Sequence, residues 1–521
     1  MTLEKPEEHA HAVVFSSAGS TRYLFDAATS SVHPWPWSIT GDRLDGLYAC
    51  EDGEVGALVA RASSPAWLAD YVLAWRGKAG AFRSWPDAHA CASPCAGCAS
   101  KDASRQPPER RITSPAIYAN LLLIVTDSCN LRCKYCLFSG HYASFHNYRA
   151  RVMDHETARK AVEHFFALNE LPAFQAAADR KTNIAFFGGE PLLEGELIRD
   201  VVTFAKARAR PHHTLDFSAT TNLTHLPDDL AAFFVREGVG LQVSLDGPPE
   251  EHDRYRCYPD GRGSYAVIRS NLEKLRALSP RYFDERVRAV VTLNGNSDLE
   301  AINRYFESGD PAVPQVSFIG YVRDLECSSF HEAYPFDPHR LRAQYDRLVA
   351  EYVGLRRAGH RFERGRFMRQ FLEEPLSTLY RRLMWTGAPR RTAYTGTCQP
   401  GRRIAVGTDG RFHICERIGE GFPIGHVDIG LDAARCEAVE RAYYESLPDC
   451  DRCWARALCT VCFAVVAREE HFELPERRCV AVRAEMAHRL GLLYTLLEGV
   501  PDPFPSGDPL VDRHDLVRLP S

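Results

Sequence analysis

Three cysteines, Cys129, Cys133 and Cys136, crowd into eight residues directly after the apolar run Leu121–Val125, in the stretch LLLIVTDSCNLRCKYC. A run of that length reads as a strand, and it delivers the chain into a loop whose thiols can share one metal centre. Three thiolates at this spacing can hold three irons of a cubane [4Fe-4S] cluster and leave the fourth iron bare. An open iron can bind a small molecule and pass it an electron. The same spacing also suits zinc or a purely structural cluster, because short cysteine spacings often mean zinc.

A second field of thiols lies towards the other end of the chain. Cys398 is followed after eleven residues by Gly410 and after four more by Cys415; Cys450 and Cys453, then Cys459 and Cys462, form two CxxC pairs, and Cys479 closes the series. Such pairs read as cluster ligands or zinc knuckles. Cys91, Cys95 and Cys98 repeat the spacing of the first loop without its strand or its aromatic residue, which leaves zinc, an extra cluster or unliganded loop cysteines open. Cys50, Cys257, Cys327 and Cys436 stand apart and read as small hydrophobic packing residues. With 17 cysteines and no basic, then apolar, leader in MTLEKPEEHAHAVVF, a disulfide framework is excluded and metal or cluster ligation is the economical reading.

Other groups able to do chemistry fall at strand ends. The segment Asn183–Leu192 runs into Gly188, Gly189, Glu190 and Pro191. Glycines there let backbone approach a ligand, and the carboxylate beyond them can accept hydrogen bonds from an ammonium group, although a plain turn has the same residues. Phe217–Asn222 and Leu241–Pro248 end in polar residues, Ser244 among them, and His252–Arg256 offers a guanidinium whose fork suits a carboxylate. For Thr221, Asn222 and Asp246, capping of strand ends and ligand contact stand level.

The elements that must position these groups alternate in βα order. Asp154–Leu168 has helical spacing with Ala158, Ala161, Val162 and Phe165 on one face, and further strands fall near Val287–Leu293 and Val316–Ile319. About six βα units result, and parallel strands gather ligand-binding groups at their C-terminal ends. The expected fold is α/β, a partial (β/α)6 TIM-like barrel with a small N-terminal α+β domain and a C-terminal cysteine-rich domain. Residues 1–110 contain the strand-like runs Ala12–Phe15 and Tyr23–Phe25, a helix around Ala66–Arg76, and Trp35 and Trp37 read as packed aromatics; Lys101–Arg111 reads as a linker. Residues 330–390 read as helices, Arg477–Leu497 as a closing helix and Pro501–Ser521 as a Pro-rich tail. A net charge of −5 argues against bulk nucleic-acid binding, and no run of 18 apolar residues offers a membrane span. A cytoplasmic protein with no membrane or nucleic-acid partner is expected.

The C-x3-C-x-aromatic-C loop after a strand, with GGEP some fifty residues beyond, resembles the signature of radical S-adenosylmethionine (SAM) enzymes. The C-terminal cysteine field resembles the SPASM extension of peptide-modifying members. The resemblance covers about residues 118–480 and implies a division into an N-terminal domain (1–110) suited to gripping a peptide leader, a radical SAM barrel (111–385), a SPASM domain (386–482) and a C-terminal helix and tail (483–521). It implies that SAM chelates the open iron and is cleaved reductively to a hydrogen-abstracting 5'-deoxyadenosyl radical. Tyr135 would lie beside the adenine, Gly188, Gly189, Glu190 and Pro191 at the SAM amino group, and Ser244 and Arg256 at its carboxylate. Two auxiliary iron-sulfur clusters are implied, one on Cys398, Cys415 and Cys462, the other on Cys450, Cys453, Cys459 and Cys479. The family usually has three residues in the last short gap, where this chain has only Thr460 and Val461, and no cysteine in Tyr394–Thr397 completes the first set, which leaves an open iron or a fourth ligand from Cys436 or Cys327. Glu416, directly after Cys415, stands where sulfatase-type relatives carry a base, a role that calls for a raised carboxyl pKa, and a surface or structural carboxylate stands level with it. The implied activity is maturation of a ribosomally synthesised precursor peptide by a thioether or other cross-link, with flavodoxin or ferredoxin as one-electron reductant. Sulfatase-maturase-like oxidation of a protein Cys or Ser, maturation of a quinone-bearing enzyme subunit, and a cluster-bearing sensor without SAM cleavage are the alternatives.

Overall fold

The computed structural model describes residues 7–8, 12–26, 31–34, 120–139, 141–142, 148–170, 182–210, 214–322, 329–384, 403–447, 450, 453–456, 458–500 and 503–504. The expected helix at Ala66–Arg76, Trp35, Trp37, Cys50, Cys91, Cys95, Cys98, Cys327, Cys398, the linker and most of the tail lie outside them.

The alternating apolar runs become six parallel strands: β5 (Asn120–Thr126), β6 (Thr182–Gly188), β7 (Leu215–Thr221), β8 (Gly240–Ser244), β9 (Val287–Leu293) and β10 (Gln315–Tyr321). They pair in sequence order, each with the next. Burial alternates along β6 and β9, as one face of a parallel sheet packs under helices while the other stays more open. The helix His155–Asn169 behaves as its spacing predicts: Asp154 caps it by accepting from the Thr157 amide, and Ala158, Ala161, Val162 and Phe165 are buried.

Past β10 the chain returns to the opposite side of this sheet. β11 (Arg403–Val406) pairs in parallel with β5, and β12 (Arg411–His413), β13 (Pro423–His426) and β14 (Gly430–Leu431) follow in antiparallel order. The cysteine-rich segment thus grows from the first strand's free edge, giving ten strands in the order β10-β9-β8-β7-β6-β5-β11-β12-β13-β14. The Arg417 guanidinium, just beyond β12, lies 5.8 Å from the ring of Phe318 on β10. Contact between two such distant places in the order requires the sheet to curl round on itself.

The N-terminal strands β1 (Glu7–Glu8), β2 (Ala12–Ser16), β3 (Arg22–Asp26) and β4 (Ser31–Pro34) form a separate antiparallel sheet. It seats on the long helix Glu476–Gly499: the Tyr23 and Tyr494 rings lie 4.5 Å apart, the Tyr23 hydroxyl donates to Glu498 at 2.7 Å, and the Ala18 amide donates to Thr495 Oγ1 at 2.8 Å. Phe25 packs edge-on against Trp454 at 6.2 Å. Among the described residues, no helix is long and apolar enough to cross a membrane.

Candidate functional site

The loop carrying Cys129, Cys133 and Cys136 leaves the C-terminal end of β5 and is tied on two sides. On one side the amides of Arg132 and Lys134 donate to the carbonyls of Cys257 and Tyr255, at 2.7 and 2.9 Å. On the other, Asn130 Nδ2 donates to Thr224 Oγ1 at 2.8 Å, and Asn222 Nδ2 donates to Asn130 Oδ1 at 3.0 Å and to the Cys129 sulfur at 3.7 Å. The loop is therefore strung across the ends of the sheet, where sequence order alone places only its first residue.

Gly188 and Gly189 serve this loop directly. The Gly189 and Glu190 amides donate to the Thr126 and Ser128 carbonyls, both at 2.8 Å. A Cβ on Gly188, whose φ is +143°, would meet the Thr126 carbonyl oxygen at 2.2 Å, and one on Gly189 would meet the Ser128 carbonyl oxygen at 2.1 Å. The glycine pair lets the end of β6 touch the cysteine loop. Glu190, buried, accepts from Thr221 Oγ1 at 2.6 Å, the Asn222 amide at 2.6 Å and the Leu192 amide at 3.0 Å. Burial nevertheless pushes its pKa up to about 7, against the pull of those donors. Pro191 is buried and opens the short turn Pro191–Glu194.

Tyr135 and Arg256 meet on a third residue. The Tyr135 hydroxyl donates to Asp246, and Arg256 grips the same carboxylate through Nε at 2.8 Å and Nη2 at 3.2 Å. The Thr292 amide donates to Asp246 as well, at 2.9 Å, and the guanidinium lies 5.2 Å from the Tyr135 ring. All three side chains are buried. His252 supports the group: its Nδ1 accepts from the Asp246 amide at 3.3 Å and its Nε2 meets Ser264 Oγ at 3.0 Å. Burial depresses its pKa to about 3, so the ring is neutral. Asp246 is thus a hub, and Ser244 stands two residues before it at the end of β8.

Residues 123–303, which hold every group above, match the model of the Radical SAM superfamily. The chain carries a radical SAM domain. It is 28% identical over 196 residues to the cysteine-type anaerobic sulfatase-maturating enzyme of Clostridium novyi (strain NT), covering 36% of this chain and 48% of the relative. Against the radical SAM cyclopropyl synthase TigE of Paramaledivibacter caminithermalis it is 27% identical over 160 residues, 30% of this chain and 32% of that one. The chain spans about half or less of the length of these curated relatives. In fold it is similar to the solved structure of native anSMEcpe with bound AdoMet and Kp18Cys peptide, at a TM-score of 0.52 and 16% identity, over 73% of this chain and 98% of that one.

Outside the matched residues, Cys415, Cys450, Cys453, Cys459 and Cys462 pack against the apolar core. Cys450 lies close enough to Cys459, Cys479 and Cys453 to feel their charge, and burial raises its pKa to about 12. Tyr443 packs beside Cys462, Cys459 and Cys450, with its ring 4.0 Å from Phe463. Cys415 follows β12. Cys436 is fully buried on the helix Ala433–Glu445, its thiol directed at the Ile424 carbonyl 3.8 Å away, so it packs in the core as a lone cysteine of that kind is expected to.

Glu416 departs from the expectation of a raised pKa. Burial works in that direction, but the guanidinium of Arg403, whose Nη1 reaches both carboxylate oxygens at 2.6 and 2.7 Å, and that of Arg417 outweigh it and hold the carboxyl below the usual range. Composition next to Cys415 does not reveal an arginine thirteen residues upstream on the facing strand. Asn130 and Thr224 are likewise residues that spacing did not single out, and for Asp246, read as a strand-end cap or a ligand contact, the structure adds the Tyr135 and Arg256 partners.

Proposed function

We propose that this chain is a radical SAM enzyme that oxidatively modifies a side chain of a peptide or protein. The observation that carries the reading is the cysteine loop strung across the ends of β5 to β8, with Glu190 and Arg256 fixed on neighbouring ends. The residues fit an iron-sulfur cluster: the Leu131, Arg417 and Val461 amides donate to the sulfurs of Cys129, Cys415 and Cys459, each two residues back, at 3.4, 3.3 and 3.4 Å. Amide hydrogen bonds of that kind stabilise a thiolate and tune a cluster. Burial and the charges of Glu190 and Cys136 push the Cys129 thiol up to about 12, so a metal that displaces its proton is needed to ionise it near neutral pH.

In this reading Cys129, Cys133 and Cys136 hold a [4Fe-4S] cluster, Cys450, Cys453, Cys459 and Cys479 a second, and Cys415 and Cys462, with Cys398, a third. Bound together, cluster and SAM supply one-electron cleavage of SAM and hydrogen abstraction from the substrate. The chain's own work is placement. Asp246 holds Arg256 and Tyr135 in one orientation, and Glu190 and Ser244 offer the SAM amino and carboxylate contacts. The substrate is a ribosomally made peptide that receives a thioether or other cross-link, with flavodoxin or ferredoxin as electron donor. Oxidation of a protein Cys or Ser has equal support, from the likeness to cysteine-type and serine-type anaerobic sulfatase-maturating enzymes.

The test is anaerobic reconstitution with iron and sulfide, then reduction in the presence of SAM. 5'-Deoxyadenosine should form, and a Cys129/Cys133/Cys136 triple alanine variant should form none; equal amounts from both proteins would end the reading. A sulfatase-derived Cys peptide and the peptides encoded beside the gene then separate the two product classes.

A further inference from the structure

Between Tyr148 and Met153 the chain passes back along the start of the cysteine loop. The Asp127 amide donates to the Arg151 carbonyl at 2.9 Å, the Met153 amide to Val125 at 2.9 Å, and Ser128 Oγ to the Arg149 carbonyl at 3.1 Å. This short antiparallel return turns the Arg151 side chain onto Asp127, which it meets through Nε at 2.6 Å. Asp127 is buried and lies two residues before Cys129. The same guanidinium also donates through Nη2 to Glu420, five residues after Cys415. Arg149 Nη1 at 3.8 Å and Arg411 Nη2 at 3.7 Å also face Glu420.

We propose that Arg151 is a positioning residue that pins the loop before Cys129 to the loop after Cys415, so that the two thiol sites keep one relative placement through the Asp127–Arg151–Glu420 link. The pairing of β5 with β11 joins the same two regions, but it ends at Leu123 and Val406, short of both loops. Arg151 acts beyond that point. Its planar fork suits the task, because separate in-plane N–H donors of one guanidinium can hold two carboxylates at fixed angles. The Arg151–Glu420 arm lies at the surface, where an ion pair adds little to global stability, so what that arm contributes is local placement of the buried Asp127 end. The consequence for chemistry rests on the proposed function: a substrate bound between the two sites needs both in register.

The experiment uses the full chain. Backbone amide exchange is followed at residues 126–131 and 414–422 for wild type, Arg151→Met, Arg151→Lys and Glu420→Gln. Arg151→Met should speed exchange at least threefold in both loops, Arg151→Lys should restore part of the protection, and Glu420→Gln should speed exchange at 126–131 although it lies on the other side of the link. After reconstitution, Arg151→Met should form at least threefold more 5'-deoxyadenosine per peptide product than wild type. If Glu420→Gln leaves residues 126–131 as protected as wild type, the link is overturned. Wild type that exchanges as expected yet cleaves no SAM would instead defeat the proposed function and leave the link standing.

Discussion

The Cys129–Cys136 loop and the Cys450–Cys479 group both pack thiols among aromatic rings, but the first is tied down by polar contacts from distant parts of the chain as well. The first is held by polar groups beyond the strands: Asn222 and Thr224 on one side, the carbonyls of Cys257 and of Tyr255, the last residue of the helix Pro249–Tyr255, on the other, and Asp246 bonded to Tyr135. The second sits among rings, with Trp454 buried directly after Cys453, Phe463 stacked on Tyr443, and Phe422 on Phe472 at 4.2 Å. Directional bonds fix orientation but individually add only about 1 kcal/mol. Ring packing adds more stability and less direction. On the proposed function, a loop that presents a bare iron to a ligand is served by the first kind of support and a group that stores or passes electrons by the second.

The contrast can be broken most severely at the first loop. Replacing Cys129, Cys133 and Cys136 together by alanine should abolish SAM cleavage while iron and sulfide remain bound at the C-terminal group, which elemental analysis and absorption spectra check. In the second region Trp454→Ala should cost about 3–5 kcal/mol of stability through the cavity it leaves, read from denaturant midpoints. Asp246→Asn should cost about 3 kcal/mol, because Arg256 is left buried without its counter-charge. The same variant should raise the KM for SAM more than it lowers kcat, a split that packing loss alone does not produce.

A finer probe is pH. Glu190 has a pKa raised by burial from 4.5 to about 7, so its neutral form suits the folded chain. Its stabilising contribution is fully present below about pH 4.5 and is lost as pH rises through about 7, a loss on the order of 3 kcal/mol. Denaturant titrations of the metal-free protein should show that slope, and Glu190→Gln should flatten it. The smallest effect is expected at Glu416, whose charge Arg403 already compensates. Glu416→Gln should slow peptide product by at most about tenfold, measured against SAM cleavage in the same sample; a larger loss would restore it as the base.

What was legible in the sequence follows the same divide. Strands and their order could be read because apolar runs alternate with helical spacing, and the thiols and GGEP could be read because their neighbours in sequence define them. The meeting of Tyr135, Asp246 and Arg256 was not legible, since it depends on β5 and β8 ending at one level. Nor was the lowered pKa of Glu416, which is set by Arg403 across the β11–β12 pairing. The Gly188–Gly189 pair was read as room for a ligand, and the structure gives it a further duty against the Thr126 and Ser128 carbonyls.

The seat of the N-terminal sheet on the helix Glu476–Gly499 also sets a timetable for synthesis. Tyr23 and its partner Glu498 are 475 residues apart, and translation at 5–20 residues per second separates their appearance by about 25–95 s. Phe15, Tyr23 and Phe25 therefore leave the ribosome long before Tyr494 and Trp454 exist to cover them. A nascent chain in that interval carries an apolar sheet face without its partner, which makes it a client for a chaperone and a hazard when expression is fast. Slower translation at low temperature should raise the soluble yield, and chains truncated before Glu476 should aggregate through their own first strands.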